Sequence, residues 1–299
     1  MDEQDHLAAR FEADRTHLRA VAYRMLGSVT EAEDAVQEAW FRLSRSDTTE
    51  VANLTGWLTT VVGRVCLDML RARRSRPEDP AGERLPDPVV RPLVGPTAAA
   101  PPDPAEQALL ADSVGLALLV VLDSLAPAER LAYVLHDMFG LPFDEIAPMV
   151  DKSPAATRQL ASRARRRIQG RPVVPEGDVT EQRALVDAFI AAARDGNLDR
   201  LVSILHPDVV LRADRGGAGF RMVQGAKQVA RGASTFQRVA GPDVRAEPAL
   251  VNGSVGVVAS QDGAPLAVLA FTVVDGRIVE IDILNDPIRL ATLDLAGLV

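Results

Sequence analysis

A short arginine-rich stretch near the middle of the chain carries side chains suited to binding DNA. Residues 154–168, PAATRQLASRARRRI, contain five arginines and no acidic residue. Arg158 and Arg163 could each donate two hydrogen bonds to a guanine edge, a contact worth about 1–3 kcal/mol of base discrimination. Lys152 and Arg165 are suited instead to phosphate oxygens, which would make binding salt-dependent. An amphipathic surface helix whose charges are only solvated is the competing interpretation.

Two short helices are predicted to position these side chains. Upstream, Phe143, Ile146, Ala147 and Val150 recur at helical spacing. Ser153-Pro154 then supplies an N-cap followed by proline at the first helical position. Helices separated by so tight a turn, the second rich in arginine, are typical of a helix-turn-helix. Its second helix has an apolar stripe formed by Thr157, Ala161, Ala164 and Ile168.

Composition narrows the class of protein. A length of 299 residues with 47% hydrophobic residues predicts two or three domains with cores of their own. The first residues are too charged for a secretory signal, and no apolar run is long enough to span a membrane. Cys66 is the single cysteine, and the four histidines lack metal-ligand spacing. We therefore expect a cytoplasmic protein without disulfide, metal or cofactor.

The net charge of −8 is unusual for a DNA-binding protein, but it is unevenly distributed. Residues 106–171 carry eight basic and eight acidic side chains. Within them every acid lies at or before Asp151, and every base except Arg130 lies after it. Most of the excess acid is in residues 77–105 and 172–299. Since DNA responds to the local field, the total charge does not exclude binding.

The N-terminal region is predicted to be helical throughout. An apolar stripe (Phe11, Leu18, Val21, Ala22, Met25) ends near Gly27, a natural helix C-terminus. Thr30 and Glu33 have the spacing of a capping box that opens a second helix. One side of that helix is predicted to expose the acidic residues Asp34 and Glu38 and the aromatic Phe41. These side chains could simply be solvated. Asn53 or Thr55 is predicted to cap a third helix. The arginines of this helix lie mainly near its C-terminus, where the helix dipole favours basic side chains whatever their function.

Three sequence segments together resemble the two conserved domains of extracytoplasmic-function sigma factors. In chain order they are AEDAVQEAWFRL, GWLTTVVGRVCLDMLR and SPAATRQLASRARRRI. The resemblance implies that an all-α domain, residues 1–76, binds the clamp helices of core RNA polymerase and recognises the −10 promoter element. It implies that a second all-α domain, residues 106–171, binds the polymerase flap and recognises the −35 element.

The resemblance also assigns roles to individual residues. The polymerase-binding positions are Asp34, Gln37, Glu38 and Phe41. The −10 positions are Asn53, Arg64, Asp68 and Arg71, beside the loop between Ser44 and Thr55. The −35 positions are Arg158, Gln159, Ser162 and Arg163, with Arg166 completing the DNA-binding set, as a phosphate contact like Arg167.

Residues 77–105 between these domains are rich in proline and lack periodicity, which predicts an extended linker and not a folded unit. Within it, RLPDPV (84–89) is similar to a signature of one sigma-factor subgroup that carries a C-terminal SnoaL-like domain, although Arg84 replaces the usual aromatic.

After a second linker, residues 172–179, the chain changes character. Helices are predicted over 179–195 and 198–205, followed by strands within 209–214, 244–252, 254–261, 264–276 and 277–285. Asn-Gly and Asp-Gly pairs mark hairpin turns. Helices followed by a curved antiparallel sheet form an α+β cone, so residues 180–299 resemble the SnoaL/NTF2-like fold. The regulatory positions implied by the subgroup are Leu85, Pro86, Asp87, Pro88, Asp214, Asn285, Pro287 and Arg289.

A cone of this kind can be an enzyme or a binding module. The polar candidates for catalysis are His206, Arg212, Asp214 and Asp282, but their spacing does not prove that they converge. Glu280 and Asp282 share one strand face, for which we favour solvent exposure or a structural role.

The resemblance thus predicts a non-enzymatic sigma factor whose partners are core RNA polymerase and promoter DNA, with its C-terminal domain restraining or supporting the other two. A small ligand in the cone remains allowed. The alternatives are a SnoaL-type isomerase or hydrolase tethered to a DNA-binding module, and a simple repressor.

Overall fold

The computed structural model of the chain describes residues 3–46, 51, 53–75, 84–93, 115–169, 178–241 and 243–299. They form two compact units. The first, here called the helical unit, includes the described residues from 3 to 75 and from 119 to 169. The second, the sheet unit, includes 84–93, 115–118 and the described residues from 178 onward. No helix in these ranges combines the length and the apolar character needed to cross a bilayer.

Three helices open the helical unit: α1 (Glu3–Leu26), α2 (Val29–Leu43) and α3 (Leu54–Arg74). The predicted stripe of α1 is buried, and Gly27 ends this helix with a φ of 70°. The predicted cap of α2 was wrong: the side chain of Ser28 accepts the backbone N–H of Glu31, so the helix begins before Thr30. Ser28 and Glu31 have the same spacing as the predicted pair and lie two residues earlier.

Four helices, a π-helical turn and a 3-10 turn follow, and apart from residues 116–118 they belong to the helical unit. They are α4 (Leu116–Asp123), α5 (Pro127–Tyr133), the π-helical turn (Val134–Met138), α6 (Phe143–Ile146), a 3-10 turn (Ala147–Met149) and α7 (Pro154–Ile168). The predicted helix-turn-helix is confirmed, with both apolar stripes buried. The helix that begins at Pro127 widens into the π-helical turn after Tyr133. Residues 104–114, just before α4, lie outside the described ranges.

The two helical regions, predicted as separate bodies, pack together within the helical unit. Arg130 of α5 is 1% exposed, and its Nε donates to the carbonyl of Arg24 in α1 at 3.1 Å. Its Nη1 donates to Asp123 at 2.9 Å. Burial lowers the pKa of Arg130, although Asp123 opposes that shift. Gly63 allows α3 to approach α5 and the π-helical turn closely, because a Cβ there would meet Leu135 of the turn at 3.0 Å and Leu131 of α5 at 3.4 Å.

The sheet unit begins with a strand that the sequence did not predict. β1 (Val90–Pro92) pairs antiparallel with β4 (Arg245–Val251), so residues 84–93 belong to a folded unit and the expectation of an unstructured linker is wrong there. Proline is tolerated because β1 lies at an edge of the sheet. Residues 77–83 and 94–105 lie outside the described ranges.

The remaining elements are α8 (Val179–Arg194), α9 (Leu198–Ile204), β2 (Leu205–Asp214), β3 (Phe220–Gln224), α10 (Ala226–Ala240), β5 (Ser254–Gln261), β6 (Ala264–Val274), β7 (Arg277–Leu284) and α11 (Pro287–Leu290). The sheet order is β1-β4-β5-β6-β7-β2-β3, with only β2 and β7 parallel. β3 and α10 were not predicted. The three predicted hairpin turns form, with positive φ at both central residues in each.

One face of this sheet packs beneath the helices. Val186 and Phe189 of α8, Leu201 of α9 and Val229 of α10 share a core with Phe271 and Ile281 of the sheet. Because neighbouring strand residues point to opposite faces, Glu280 and Asp282 lie on the other face from Ile281. The predicted α+β architecture is confirmed.

Candidate nucleic-acid interface

The outer surface of α7 presents the predicted DNA-binding side chains together. Ser153 caps the helix by accepting the N–H of Ala156 at 3.2 Å, and Pro154 occupies its first turn. The positions Arg158, Gln159, Arg163 and Arg166 are exposed, while Ser162 is half-buried. The guanidinium carbon of Arg158 lies 5.3 Å from the centre of the Phe143 ring. This cation–π contact orients Arg158 while leaving its nitrogens able to donate.

Two acidic residues beneath α7 orient its other arginines. Glu129, 7% exposed, accepts from Nε of Arg163 at 2.7 Å, and its second oxygen lies 3.7 Å from Arg167. Because this bond uses Nε, both terminal nitrogens of Arg163 remain able to donate to a base. Asp137 binds Arg165 at 2.5 Å. Glu129 was not predicted from the sequence, because an acid in the first turn of a helix is already explained by the helix dipole.

The predicted −10 positions lie along or beside α3. Arg64, Asp68 and Arg71 are exposed on one helix face, with Asp68 and Arg71 3.8 Å apart. Arg64 also donates to the carbonyl of Pro148 at 3.3 Å, next to the helix-turn-helix. The side chain of Asn53 caps α3 by accepting the N–H of Gly56 at 3.0 Å. Within the adjoining loop, residues 47–50 and 52 lie outside the described ranges.

The predicted polymerase-binding positions form one exposed face of α2. The side chains of Asp34, Gln37, Glu38 and Phe41 all lie outward, and Phe41 is 45% exposed. Glu38 accepts from Arg42 at 2.9 Å. Glu31, at the start of the same helix, is half-buried and pairs with Arg73 of α3. One exposed aromatic side chain is ordinary by itself, so the polymerase-binding role of this face stays a prediction.

Half of the predicted regulatory residues meet at the buried guanidinium of Arg289 in the sheet unit, and we call this group of contacts the Arg289 latch. Arg289 of α11 donates to Asp87 through Nε at 2.8 Å, to Asp214 through Nη1 at 2.5 Å and to the carbonyl of Leu85 at 2.6 Å. Asp214 also accepts the N–H of Leu85 at 2.9 Å. Both carboxylates are less than 8% exposed. The segment from Leu85 to Pro88 is therefore fixed by main-chain and charged contacts at once.

The other predicted members of this set lie around the latch. Asn285 donates its N–H to the carbonyl of Asp214 at 2.9 Å, and Pro287 opens α11. Pro86 and Pro88 are buried beside the two latch contacts of the linker. Farther along, the side chain of Asn252 accepts the N–H of Val89 at 3.0 Å, which extends the attachment into strand β1.

A second buried guanidinium lies two residues before Asp214. Arg212 of β2 binds Glu280 at 3.0 Å and Asp282 at 2.9 Å, both from β7. Of the two expectations for this strand face, solvent exposure is wrong for Asp282, which is 2% exposed, and its ion pair with Arg212 is in keeping with a structural role. Its burial raises the pKa of Asp282 to about 6, against the opposing effect of Arg212. One cation cannot neutralise two carboxylates, so the more buried one is the easier to protonate. Burial lowers the pKa of Arg212, but the two carboxylates outweigh it and raise that pKa overall.

The substitution Asp282→Asn is expected to stabilise the protein at pH 7.5 by about 1–3 kcal/mol, since each pKa unit corresponds to about 1.4 kcal/mol. The folded-state pKa lies above the ordinary value, so the folded protein takes up the proton first as pH falls. The penalty of the buried charge is absent below about pH 4 and complete above about pH 6. Asparagine keeps an acceptor for Arg212 but carries no charge.

Urea unfolding of the full chain at pH 5 and 7.5 measures this difference, with Asp243→Asn controlling for the loss of an exposed carboxylate. A variant less stable than the wild type at pH 7.5 would mean that the ion pair contributes more than burial costs.

The four candidates for catalysis do not gather in the core beneath the helices. Arg212, Asp214 and Asp282 lie on the opposite sheet face in ion pairs. His206 accepts the N–H of Asp208 at 3.2 Å, as expected of a structural corner. This geometry gives no support to an isomerase or hydrolase.

Comparison with known proteins agrees with the division of the chain. Residues 11–76 match the family model described as Sigma-70 region 2, and residues 115–168 match Sigma-70, region 4. The chain is 40% identical over 284 residues to the ECF RNA polymerase sigma factor SigJ of Mycobacterium tuberculosis, covering 90% of this chain and 88% of the relative. It is 36% identical to a probable ECF sigma factor SigI of the same species, covering 98% and 97%. A crystal structure of M. tuberculosis SigJ matches with a TM-score of 0.74 at 37% identity, covering 96% of this chain and 99% of that one.

Proposed function

The chain belongs to the extracytoplasmic-function family of RNA polymerase sigma factors, and on that premise we propose how its residues direct promoter-specific initiation. The exposed face of α2 binds the clamp helices of core RNA polymerase in the cytoplasm, and α3 with its preceding loop captures the −10 element. The helix-turn-helix binds the polymerase flap and recognises the −35 element through α7. The observation that carries the proposal is the set of arginines on α7, exposed on one side and oriented from below by Phe143 and Glu129.

The substitution Arg158→Ala is expected to reduce discrimination at one −35 base pair by about 1–3 kcal/mol, because it removes a bidentate contact to a base edge. Run-off transcription with reconstituted polymerase on promoters randomised in the −35 element measures the preference directly. Arg167→Ala is the matched control: loss of a phosphate contact should weaken all promoters about equally and reduce the salt dependence.

Unchanged base preference in Arg158→Ala would remove this residue from the −35 set. Failure of the wild-type chain to support any promoter-dependent transcript would contradict the proposal as a whole.

The helical unit has to open for both elements to be recognised. Elements about 25 base pairs apart are separated by roughly 85 Å along B-form DNA, at about 3.4 Å per base pair. In the packed unit, Arg64 of the −10 set donates to Pro148 at 3.3 Å, beside the −35 helix. We therefore infer that polymerase binding separates the two regions and that the packed form is the unbound state. The contact of Arg130 that crosses the two regions is a single hydrogen bond, from its Nε to the carbonyl of Arg24 at 3.1 Å, whereas its ion pair with Asp123 lies within the second region and would survive their separation.

The sheet unit is proposed to regulate this opening by holding the linker. The linker joins the two regions that must separate, and the Arg289 latch fixes it between Leu85 and Pro88. Release of the latch would lengthen the tether available to the helical regions. A repressor requires neither a linker clamp nor an exposed acidic face on α2, and the sheet unit supplies no converging catalytic set, so the sigma-factor function accounts for more of the chain.

A further inference from the structure

The segment of the sheet unit from residue 215 to residue 245, which contains β3 and α10, has a charge opposite to that of the rest of the unit. Residues 215–245 carry six basic side chains and one acidic one, Asp243. The rest of residues 172–299 carries six basic and fifteen acidic side chains. The six cations are Arg215, Arg221, Lys227, Arg231, Arg238 and Arg245. Every one of them is exposed, and none forms an ion pair with another described residue.

Three of these cations form a row along α10, which contains no acidic residue. Lys227, Arg231 and Arg238 are separated by four and seven residues, a spacing that places them on one side of the helix. Eleven residues of helix span about 16 Å, roughly the rise of five base pairs of DNA. Gln228 and Thr235 are exposed along the same stretch and can donate to phosphate oxygens.

We propose that this row binds the phosphate backbone of duplex DNA, as a contact additional to those of α3 and α7. Unpaired surface cations without neighbouring acids release counterions when they bind phosphate, which is the main source of sequence-independent affinity. The fold exposes the row because the opposite side of α10 is buried: Val229 and Ala230 pack into the core of the sheet unit. A cluster that served only solubility would not need to concentrate cations in one segment of an otherwise acidic unit.

An acidic protein could also bind this row of cations. The apolar side chains beside the row distinguish that partner from DNA. Phe236 is 51% exposed and Val239 is 81% exposed. Because they follow Lys227 by nine and twelve residues, these two side chains lie at the opposite edge of the exposed side of α10 from the row of cations. A protein partner would bury both flanks, whereas phosphates need only the cations.

The test compares two triple variants of the full chain, each with three fewer positive charges. Lys227→Gln/Arg231→Gln/Arg238→Gln removes the row. Arg194→Gln/Arg200→Gln/Arg277→Gln removes three other exposed cations of the same unit that form no described ion pair. Fluorescence anisotropy of a labelled non-promoter duplex gives the affinity over a series of salt concentrations. Each lost phosphate contact should reduce the log–log salt slope by about 0.9, so the row variant should lose about 2–3 from the slope and bind at least roughly tenfold more weakly at 0.1 M salt.

The control variant should stay close to the wild type, and Arg231→Lys/Arg238→Lys should keep the slope because charge is retained. Equal slopes for both triple variants, or no binding of the wild-type chain to duplex at low salt, would overturn the proposal. A second arm measures association with core polymerase without DNA for the row variant and for Phe236→Ser/Val239→Ser. Weakening by both variants there, with an unchanged DNA slope, would identify a protein partner instead. Because the duplex arm contains no polymerase, its outcome is independent of the sigma-factor function.

Discussion

Replacing Arg289 with alanine is expected to destabilise the sheet unit by about 3–5 kcal/mol and to release residues 84–93 from it. The cost is large because the substitution leaves two buried carboxylates, Asp87 and Asp214, without their shared cation. It also removes the donor to the carbonyl of Leu85. Hydrogen exchange should show faster exchange at Leu85 and Val89, and urea unfolding should show a lower midpoint.

The matched control for this prediction is Arg84→Ala. Arg84 approaches the same carboxylate of Asp87, but at 3.9 Å and with a side chain 44% exposed. An exposed pair of this kind contributes about 1 kcal/mol or less. Equal effects of the two substitutions would mean that the latch contributes no more than a surface charge. If transcription by Arg289→Ala equals that of the wild type while residues 84–93 exchange freely, holding the linker has no regulatory role.

A fluorescent donor and acceptor placed on the two helical regions are expected to lose most of their energy transfer when core polymerase and promoter DNA are added. The exposed positions Arg10 and Gln169 suit this purpose, in a Cys66→Ala background that removes the buried natural thiol. In the packed unit these regions share the buried Arg130, whereas on DNA their targets lie roughly 85 Å apart. So large a separation follows only if the packed regions come apart.

Labels at Arg10 and Ala72 provide the control, because both positions belong to α1 and α3 of one region. Their energy transfer should not change with polymerase or DNA. Retention of full transfer by the Arg10–Gln169 pair in an active initiation complex would contradict opening of the helical unit. Opening with polymerase alone would assign the trigger to the protein partner and not to DNA.

Local rules were sufficient where one stretch of chain determines its own structure. The helix-turn-helix followed from the apolar spacing around Phe143 and Thr157 and from the cap at Ser153. The Asn-Gly and Asp-Gly turns followed from the backbone freedom of those residues. The resemblance to sigma factors also depends on contiguous sequence segments. The family could therefore be named before any fold was known.

Contacts between distant residues could not be predicted in this way. β1 pairs across more than 150 residues with β4, although its proline-rich segment has no strand pattern of its own. The buried position of Asp282 depends on Arg212 from another strand, and alternation along β7 alone could not decide which face was covered. The role of Glu129 could not be predicted either, because it depends on the approach of Arg163 from α7.

The sequence by itself determined most of the helices, the hairpin turns and the family, and it predicted which side chains bind DNA, because each of these depends on neighbours within a few turns of chain. Tertiary structure alone decided that the two helical regions pack around Arg130, and that Arg289 binds Asp87 and Asp214 from three separate segments. Such ion pairs form only when folding removes water from charges far apart in the chain, and no local pattern records which charges will meet.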